Sequence, residues 1–187
     1  PRVVFTHQAT FCINSLCHII GTQPWSKKDT SKDSWICALI TFGEGYHNFH
    51  HTFPADYRNG LKWYHFDPAK WLIWGGNKLG LTTNLKRTEA PVRWKKRLER
   101  QMDKYQESIV QTIPEAHSEW SIRVESTCLR VEETLNIWSD KLREYRRAVK
   151  QGEVTESLLL SVKESRKAWK HSWREFMDLR KTMPIPA

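Results

Sequence analysis

The sequence predicts an all-α protein, in which a helical part that carries histidines precedes a soluble tail of about three amphipathic helices. Two observations predict this class. In the second half of the chain, apolar residues recur at steps of three and four, which is the period of one helix face. In the first half, three histidines stand at positions i, i+3 and i+4, and this spacing puts their side chains on one side of a helix.

Glycine and proline residues divide the first half into segments. We expect a helix over residues 2–20 and a second helix over about residues 34–42. The histidine segment comes next, and residues 54–85 are expected to form turns rich in aromatic side chains. The boundaries are marked by Gly21, Pro24, Gly43, Gly45, Pro54 and the pairs Asn59-Gly60 and Gly75-Gly76.

Three amphipathic runs make up the tail. The first run ends at Pro114, and Gly152 separates the second from the third. The apolar positions are Trp94, Leu98, Met102, Tyr105 and Ile109, then Trp120, Val124, Cys128, Val131, Leu135, Trp138, Leu142, Tyr145 and Val149, then Val154, Leu158, Trp169, Trp173, Phe176 and Leu179. The second set is heptad-like. We expect three helices folded on one another or a self-associating tail. A helix lying on lipid is the alternative, which the mixed signs of the charges disfavour.

The charge of the chain limits the kinds of partner that we expect, and its cysteines limit the kinds of structural site. The chain of 187 residues has 30 Lys+Arg against 21 Asp+Glu, and its formal net charge is +9. A basic surface favours a phosphate-bearing ligand, nucleic acid or an anionic membrane leaflet. Nucleic acid is not expected as a partner, because the tail has no recognised binding motif and its basic residues are interleaved with acidic ones. The 4 cysteines form no CxxC pair, so the sequence supports neither a zinc finger nor a disulfide framework.

Two apolar segments stop short of the length that crosses a bilayer. A helix that spans a bilayer needs about 18 or more apolar residues in succession. Polar residues interrupt the apolar segment 3–20, and the apolar segment 35–42 is too short. Asn14 and His18 lie inside the first of these segments, where polar side chains are costly and usually functional. The chain begins at Pro1 without an initiator methionine, and we expect it to be a piece of a longer protein.

The histidines are the residues with the clearest chemical meaning. His47, His50 and His51 follow a Gly-Glu-Gly turn, while His18 lies upstream with Asn14 one helical turn before it. Neutral imidazole is the commonest metal ligand in proteins and binds iron, zinc and copper. Protonated imidazoles in such a cluster would repel one another, which favours a metal site over surface or core histidines.

The motifs around these histidines resemble those of a known enzyme family. The segments Asn14-Ser15-Leu16-Cys17-His18 and Gly43-Glu44-Gly45-Tyr46-His47-Asn48-Phe49-His50-His51-Thr52-Phe53-Pro54 closely resemble the C-terminal third of the membrane acyl-CoA Δ9 (stearoyl-CoA) fatty-acid desaturases. The order of the two elements and the length between them also agree. The resemblance continues through Asp56-Tyr57-Arg58 and Leu61-Lys62-Trp63-Tyr64. It covers residues 1–86 and leaves residues 87–187 as a separate helical, heptad-like cytosolic tail.

The resemblance implies an integral membrane protein whose histidines hold a di-iron (Fe2+) centre on the cytoplasmic side. Such enzymes use O2 and two electrons to place a cis double bond, typically Δ9, in a saturated acyl chain. On this basis His18, His47, His50 and His51 are expected iron ligands, and Asn14 is expected to act through a water. Phe11 stands where animal members have a tryptophan at the substrate site.

Glu44 is a further candidate, which the spacing suggests rather than the family. Its carboxylate lies three residues before His47 and is able to hold an imidazole tautomer. A structural carboxylate at the Gly-Glu-Gly turn is the alternative.

The sequence also departs from the family. The family has two earlier motifs, HxxxxH and another HxxHH, which would lie upstream of Pro1 and are absent here. We therefore expect a desaturase fragment that does not assemble a di-iron site by itself. The tail lacks the His-Pro-Gly-Gly motif of a fused cytochrome b5 domain, which implies a separate electron donor, cytochrome b5-like or ferredoxin-like. The expected substrate is an acyl-CoA or acyl-lipid, in contact with membrane lipid. A related di-iron hydroxylase is a variant of this hypothesis. The alternative of another class is a catalytically dead remnant whose tail binds a protein or a lipid surface.

Overall fold

The structure is a computed structural model that describes residues 1–112 and 117–182. In these residues the protein is helical. The helices in chain order are α1 (Arg2–Ile19), α2 (Trp35–Ile40), α3 (His47–Thr52), α4 (Pro68–Lys78), α5 (Ala90–Thr112), α6 (His117–Gln151) and α7 (Glu156–Lys181). Within those residues no β-strand occurs, and the isolated bridges are Thr22 with Asp33 and Asp33 with Tyr46. The prediction of an all-α fold is confirmed.

The chain forms two compact units, Pro1–Arg100 and Gln101–Ala187. In the first unit, α1 and α2 pack together, and α3 lies over a small core of Ala38, Tyr46, Phe49 and Phe53. Trp25 packs against this core from the loop between α1 and α2. The boundary predicted at residues 86 and 87 marks the extent of a sequence resemblance, and it stays a prediction.

Local chemistry explains the short helices around the histidine segment. Ser34 begins α2 as its N-cap, with its hydroxyl accepting from the Cys37 amide at 3.3 Å. Gly43, in the turn after α2, has a φ of 105°, a conformation that favours glycine. At Gly45 a Cβ atom would collide with the backbone of Cys37 and Ala38. The Gly-Glu-Gly turn thus lets α3 fold back closely onto α2.

The segment 54–85 contains a helix that the sequence reading missed. We predicted turns there, but residues Pro68–Lys78 form α4. Asp67 caps it by accepting from the Lys70 amide at 3.0 Å, and Pro68 fits the first turn because its missing N–H is not needed there. Gly75 and Gly76 lie inside the helix instead of ending it, so their assignment as turn residues was wrong.

Two of the three predicted tail helices, α6 and α7, pack as an antiparallel hairpin. The Trp138 and Trp169 rings stack at 4.9 Å between centroids, and the Thr134 and Ser172 hydroxyl groups lie 2.7 Å apart. Both tryptophans are buried, as are Val124, Val131, Leu135 and Phe176 from the predicted seam. The predicted helix stop at Pro114 lies outside the described residues. The backbone of Ile109 belongs to α5, but its side chain is not among those described, so its packing stays a prediction.

Several apolar side chains of the first unit face outward. Among the described residues, no helix is both long and apolar enough to cross a membrane. The exposed set on α2 and its end is Trp35, Ile36, Leu39, Ile40 and Phe42, and the set on and after α4 is Trp71, Leu72, Trp74 and Leu79.

Candidate metal centre

Three imidazoles from two helices meet at one point. The last turn of α1 supplies His18, and α3 supplies His47 and His51. Their candidate ligand atoms all lie within 4.8 Å of one another. The ring centroids are 4.3 Å apart for His47 and His51, 5.0 Å for His18 and His47, and 5.9 Å for His18 and His51. The i, i+4 pair on α3 and the distant His18 therefore form one cluster.

His47 is in the neutral form in which imidazole binds a metal ion. It is buried, and its Nδ1 atom has no hydrogen-bond partner within the described part of the chain. Burial, together with the nearby His51 and His18, lowers the pKa of His47 to about 4. The ring is thus neutral at pH 7. Its Nε2 atom lies 3.1 Å from Nε2 of His51.

Two polar side chains of the loop between α1 and α2 hold the other two rings. The Asp29 Oδ2 atom lies 3.4 Å from Nδ1 of His51, and the Thr30 hydroxyl lies 2.8 Å from Nδ1 of His18. Each contact occupies the outer ring nitrogen and leaves Nε2 as the remaining ligand atom. Such carboxylate and hydroxyl partners orient imidazoles in metal sites and increase their basicity.

Asp29 is ionised at neutral pH, as this role needs. Burial alone would raise the pKa of Asp29, but hydrogen bonds from Ser31 and the neighbouring imidazoles His51 and His18 hold it below its usual value. The Ser31 amide donates to Asp29 Oδ1 at 2.9 Å. Sequence reasoning missed Asp29 and Thr30, because the only signal was an Asp-x-Ser turn in a polar linker.

Asn48, inside the histidine motif, fastens this loop to α3. Its side chain is fully buried, and its Oδ1 atom accepts from the amides of Trp25 and Ser26 at 2.9 and 3.3 Å. Its Nδ2 atom donates to the carbonyls of Ser26 and Ser31 at 2.8 and 3.1 Å. The residue next to His47 therefore fixes the loop that carries Asp29.

Asp33 makes a second fastening between the loop and α3. It accepts from the Phe49 amide and from the Trp25 indole, both at 3.0 Å. The Phe49 amide belongs to the first turn of α3, where N–H groups have no partner inside the helix. The carboxylate thus stabilises the start of the helix that carries His47 and His51.

The remaining predicted site residues lie around this cluster. His50 is not one of the three clustered imidazoles, and its ring centroid is 6.2 Å from that of His47 and 6.0 Å from that of His51. Asn14 lies on α1, exposed, one turn before His18. Phe11 is 62% exposed on the same helix. The roles of His50, Asn14 and Phe11 stay predictions.

Glu44 contacts an amide. Its Oε1 atom accepts from Nδ2 of Asn59 at 2.9 Å, which joins the Gly-Glu-Gly turn to the segment before α4. This contact favours the alternative of a structural carboxylate at the turn. Its role beside an imidazole stays a prediction, and Asp29 is the carboxylate that the structure places there.

Comparison with known proteins gives relatives of one enzymatic class. The chain is 58% identical over 86 residues to acyl-CoA desaturase 1 of Saccharomyces cerevisiae, covering 46% of this chain and 17% of that protein. It is 44% identical over 85 residues to the icosanoyl-CoA 5-desaturase of Limnanthes douglasii, covering 46% of this chain and 24% of that protein. A palmitoyl-monogalactosyldiacylglycerol delta-7 desaturase of Arabidopsis thaliana is 39% identical over 85 residues, covering 46% and 23%. No family model matches the chain.

The matched part of the chain is related to the acyl-CoA desaturases. The resemblance stated from the histidine motifs is therefore confirmed. The chain spans only 17% to 24% of the length of these three relatives. Their names differ in the position of the double bond and in the acyl carrier, so the similarity supports a desaturase-related function at the level of the class.

Proposed function

We propose that this chain is a part of an iron- and O2-dependent acyl desaturase and supplies its last histidine ligands. The observation that carries the proposal is the cluster of His18, His47 and His51, within 4.8 Å, in a chain related to desaturases. The reaction places a cis double bond in a saturated acyl chain. The Δ9 position follows from the motif resemblance.

The residues fit a transition metal. Each of the three rings offers a nitrogen, the buried His47 is neutral, and the groups near its ring nitrogens are another imidazole of the cluster, at Nε2, and none at Nδ1 within the described residues. Imidazole nitrogen suits iron. His18, His47 and His51 would hold the metal, with His50 and Asn14, the latter through a water, as the remaining ligands from this chain.

Each neighbouring residue has a definite task in this proposal. Asp29 and Thr30 orient His51 and His18 through their outer nitrogens. Asn48 and Asp33 hold the loop between α1 and α2 against α3 through their hydrogen bonds. The bound iron would supply, with O2 and electrons, the oxidising power that the unactivated C–H bonds of an acyl chain require.

The whole protein, in this proposal, is an integral membrane enzyme with its histidines on the cytoplasmic side. Its substrate is an acyl-CoA or acyl-lipid, and its electrons come from a separate cytochrome b5-like or ferredoxin-like donor. Further histidines outside this chain complete a di-iron centre. By the resemblance to the family, Phe11, one helical turn before Asn14 on α1, would contact the acyl chain.

A chimera tests the activity. The matched segment of this chain replaces the corresponding segment of the S. cerevisiae acyl-CoA desaturase 1, and monounsaturated acyl chains are measured in cells that depend on the chimera. We expect production of unsaturated acyl chains that is lost in His47→Ala and in His51→Ala. An active double variant of these histidines would overturn the proposal.

Metal binding by the 187-residue chain gives a second readout. Cobalt(II) serves as an optical probe under anaerobic conditions, and we expect a nitrogen-ligand spectrum that weakens at least tenfold in His18→Ala, His47→Ala and His51→Ala. The exposed His171 on α7 provides the matched control, and His171→Ala should leave the spectrum unchanged. Equal loss in this control would show that the probe binds surface histidines.

A further inference from the structure

An open groove of about 440 Å³ lies on the first unit, built from the segment 57–87. Its walls are mostly aromatic. We call it the tryptophan groove, and its lining residues are Tyr57, Arg58, Leu61, Trp63, Lys70, Trp71, Trp74 and Arg87. These residues take no part in the histidine cluster.

The segment that builds the tryptophan groove exposes several large apolar side chains. Trp63 is 84% exposed, and Trp71 and Trp74 are about half exposed. Leu72, Leu79 and Leu81 are each more than three-quarters exposed. Large exposed apolar side chains grouped in one segment favour a contact site for another molecule or a membrane.

The exposed charges of the same segment are basic. Residues 57–88 hold the basic side chains Arg58, Lys62, Lys70, Lys78, Lys86 and Arg87, and their single acid is Asp67. Asp67 is fully buried and accepts from the amides of Asn59, Gly60 and Lys70. It therefore does not neutralise the surface.

Two of the basic side chains are already engaged. Arg58 forms a two-point ion pair with the buried Asp56, with N–O distances of 2.9 and 2.8 Å. Lys70 is buried and donates to the carbonyls of Gly60, Lys62 and His65. Within residues 1–112 and 117–182, the other four pair with no carboxylate, and they are exposed: Lys62, Lys78, Lys86 and Arg87.

These exposed cations stand beside the aromatic rings. The Arg87 guanidinium lies 5.2 Å from the Tyr57 ring centroid, and the Lys78 ammonium lies 5.7 Å from that of Trp74. Both rings line the groove. Aromatic rings with adjacent lysine and arginine are the composition of protein segments that sit at the headgroup level of a bilayer.

We propose that the tryptophan groove and its four exposed cations dock on an anionic phospholipid surface. A soluble phosphate would use the cations and leave the tryptophans and leucines in water, whereas an uncharged apolar partner would leave the cations unpaired. An anionic bilayer surface satisfies both sets, since the rings enter the interface and the cations meet phosphate groups. The proposal does not depend on the histidine cluster.

Flotation of the 187-residue chain with lipid vesicles tests the proposal. The vesicles contain phosphatidylcholine alone or phosphatidylcholine with about one third phosphatidylserine, and flotation leaves aggregated protein at the bottom of the gradient. We expect tight binding to the anionic vesicles only. Each cation near such a surface contributes about fivefold to binding, so the loss of two in Lys78→Gln/Arg87→Gln should weaken it by about 25-fold.

The matched control removes two exposed cations from α7, as Lys163→Gln/Lys167→Gln, and should retain binding within about twofold. Trp63→Ser/Trp74→Ser should weaken binding to the anionic vesicles as strongly as the groove charge pair does. Far-UV circular dichroism checks that each variant keeps its helices.

Three results would overturn the proposal. They are failure of the unaltered chain to float with anionic vesicles, equal binding to both vesicle types, and equal loss in the groove and α7 charge pairs. Failure to float would indicate that the apolar surface contacts another part of a longer polypeptide, whereas equal binding to both types would indicate that it enters the bilayer without using the cations. His47→Ala/His51→Ala should lose cobalt and keep vesicle binding, so that the failure of either proposal is seen separately.

Discussion

Replacing Asn48 with alanine should release the loop that carries Asp29 and Thr30. The buried amide holds four backbone groups, namely two amide N–H groups and two carbonyl groups in residues 25–31. A hydrogen bond of this kind contributes about 1 kcal/mol net, and a buried group left without a partner costs about 1–3 kcal/mol. With some water entering the space, we expect a loss of about 3–4 kcal/mol in the stability of the loop.

Hydrogen exchange measures this loss where it occurs. A change of about 3 kcal/mol in the free energy of local opening speeds exchange more than 100-fold. The amides of Lys32 and Asp33 donate to the carbonyls of Cys17 and Thr22, so peptides that cover residues 22–33 report the opening. The cobalt spectrum should weaken in the same variant, because His51 loses its oriented partner.

The control for this experiment is Asn136→Ala. Asn136 is exposed on α6, and its replacement should leave exchange in residues 22–33 unchanged. If Asn48→Ala speeds exchange there by less than about tenfold, the loop is held by other contacts, and the reasoning on Asn48 is refuted.

Three further predictions concern single side chains. Burial raises the pKa of Asp33 to about 6, so the folded protein holds the proton more tightly than the unfolded chain does. The resulting stabilisation is complete below about pH 4 and is lost, by up to about 3 kcal/mol, as pH rises through 6. Urea unfolding at several pH values should show this slope in the unaltered chain and not in Asp33→Asn. Lys70→Met leaves three carbonyl groups unpaired and should cost about 3 kcal/mol by urea unfolding, whereas Lys78→Met should cost less than about 0.5 kcal/mol. Trp138→Ala removes a buried ring that stacks on Trp169 and should cost about 3–5 kcal/mol, seen as a lower melting temperature of the helical signal; an unchanged melting temperature would show that the hairpin is held elsewhere.

Local patterns in the sequence determined the helices of the tail and the position of the histidines. Steps of four and three residues lead from Val124 through Cys128 to Val131, Leu135 and Trp138. The structure buries Val124, Val131, Leu135 and Trp138 in the hairpin core. A repeating apolar period depends only on the geometry of one helix, so a single sequence is enough to predict it. The i, i+4 spacing of His47 and His51 is local in the same way.

Helix α4 was missed because two opposing local signals had to be weighed. Gly75-Gly76 indicates a turn, while Asp67-Pro68 indicates a helix start. The capped start and the burial of Lys70 against three carbonyl groups outweigh the two glycines. The strength of that contact is not visible in the sequence, since its partners are backbone atoms of a separate segment.

The sequence by itself determined which residues are able to bind a metal, and the tertiary structure decided which of them meet and what orients them. His18 is distant from His47 along the chain, and only the packing of α1, α2 and α3 brings their rings together. Asp29 and Thr30 lie in an ordinary polar linker and Asn48 lies inside the histidine motif, and their roles arise from contacts between that linker and α3 or α1. Helix periodicity is a property of consecutive residues, whereas the partner of an imidazole is fixed by contacts between distant ones.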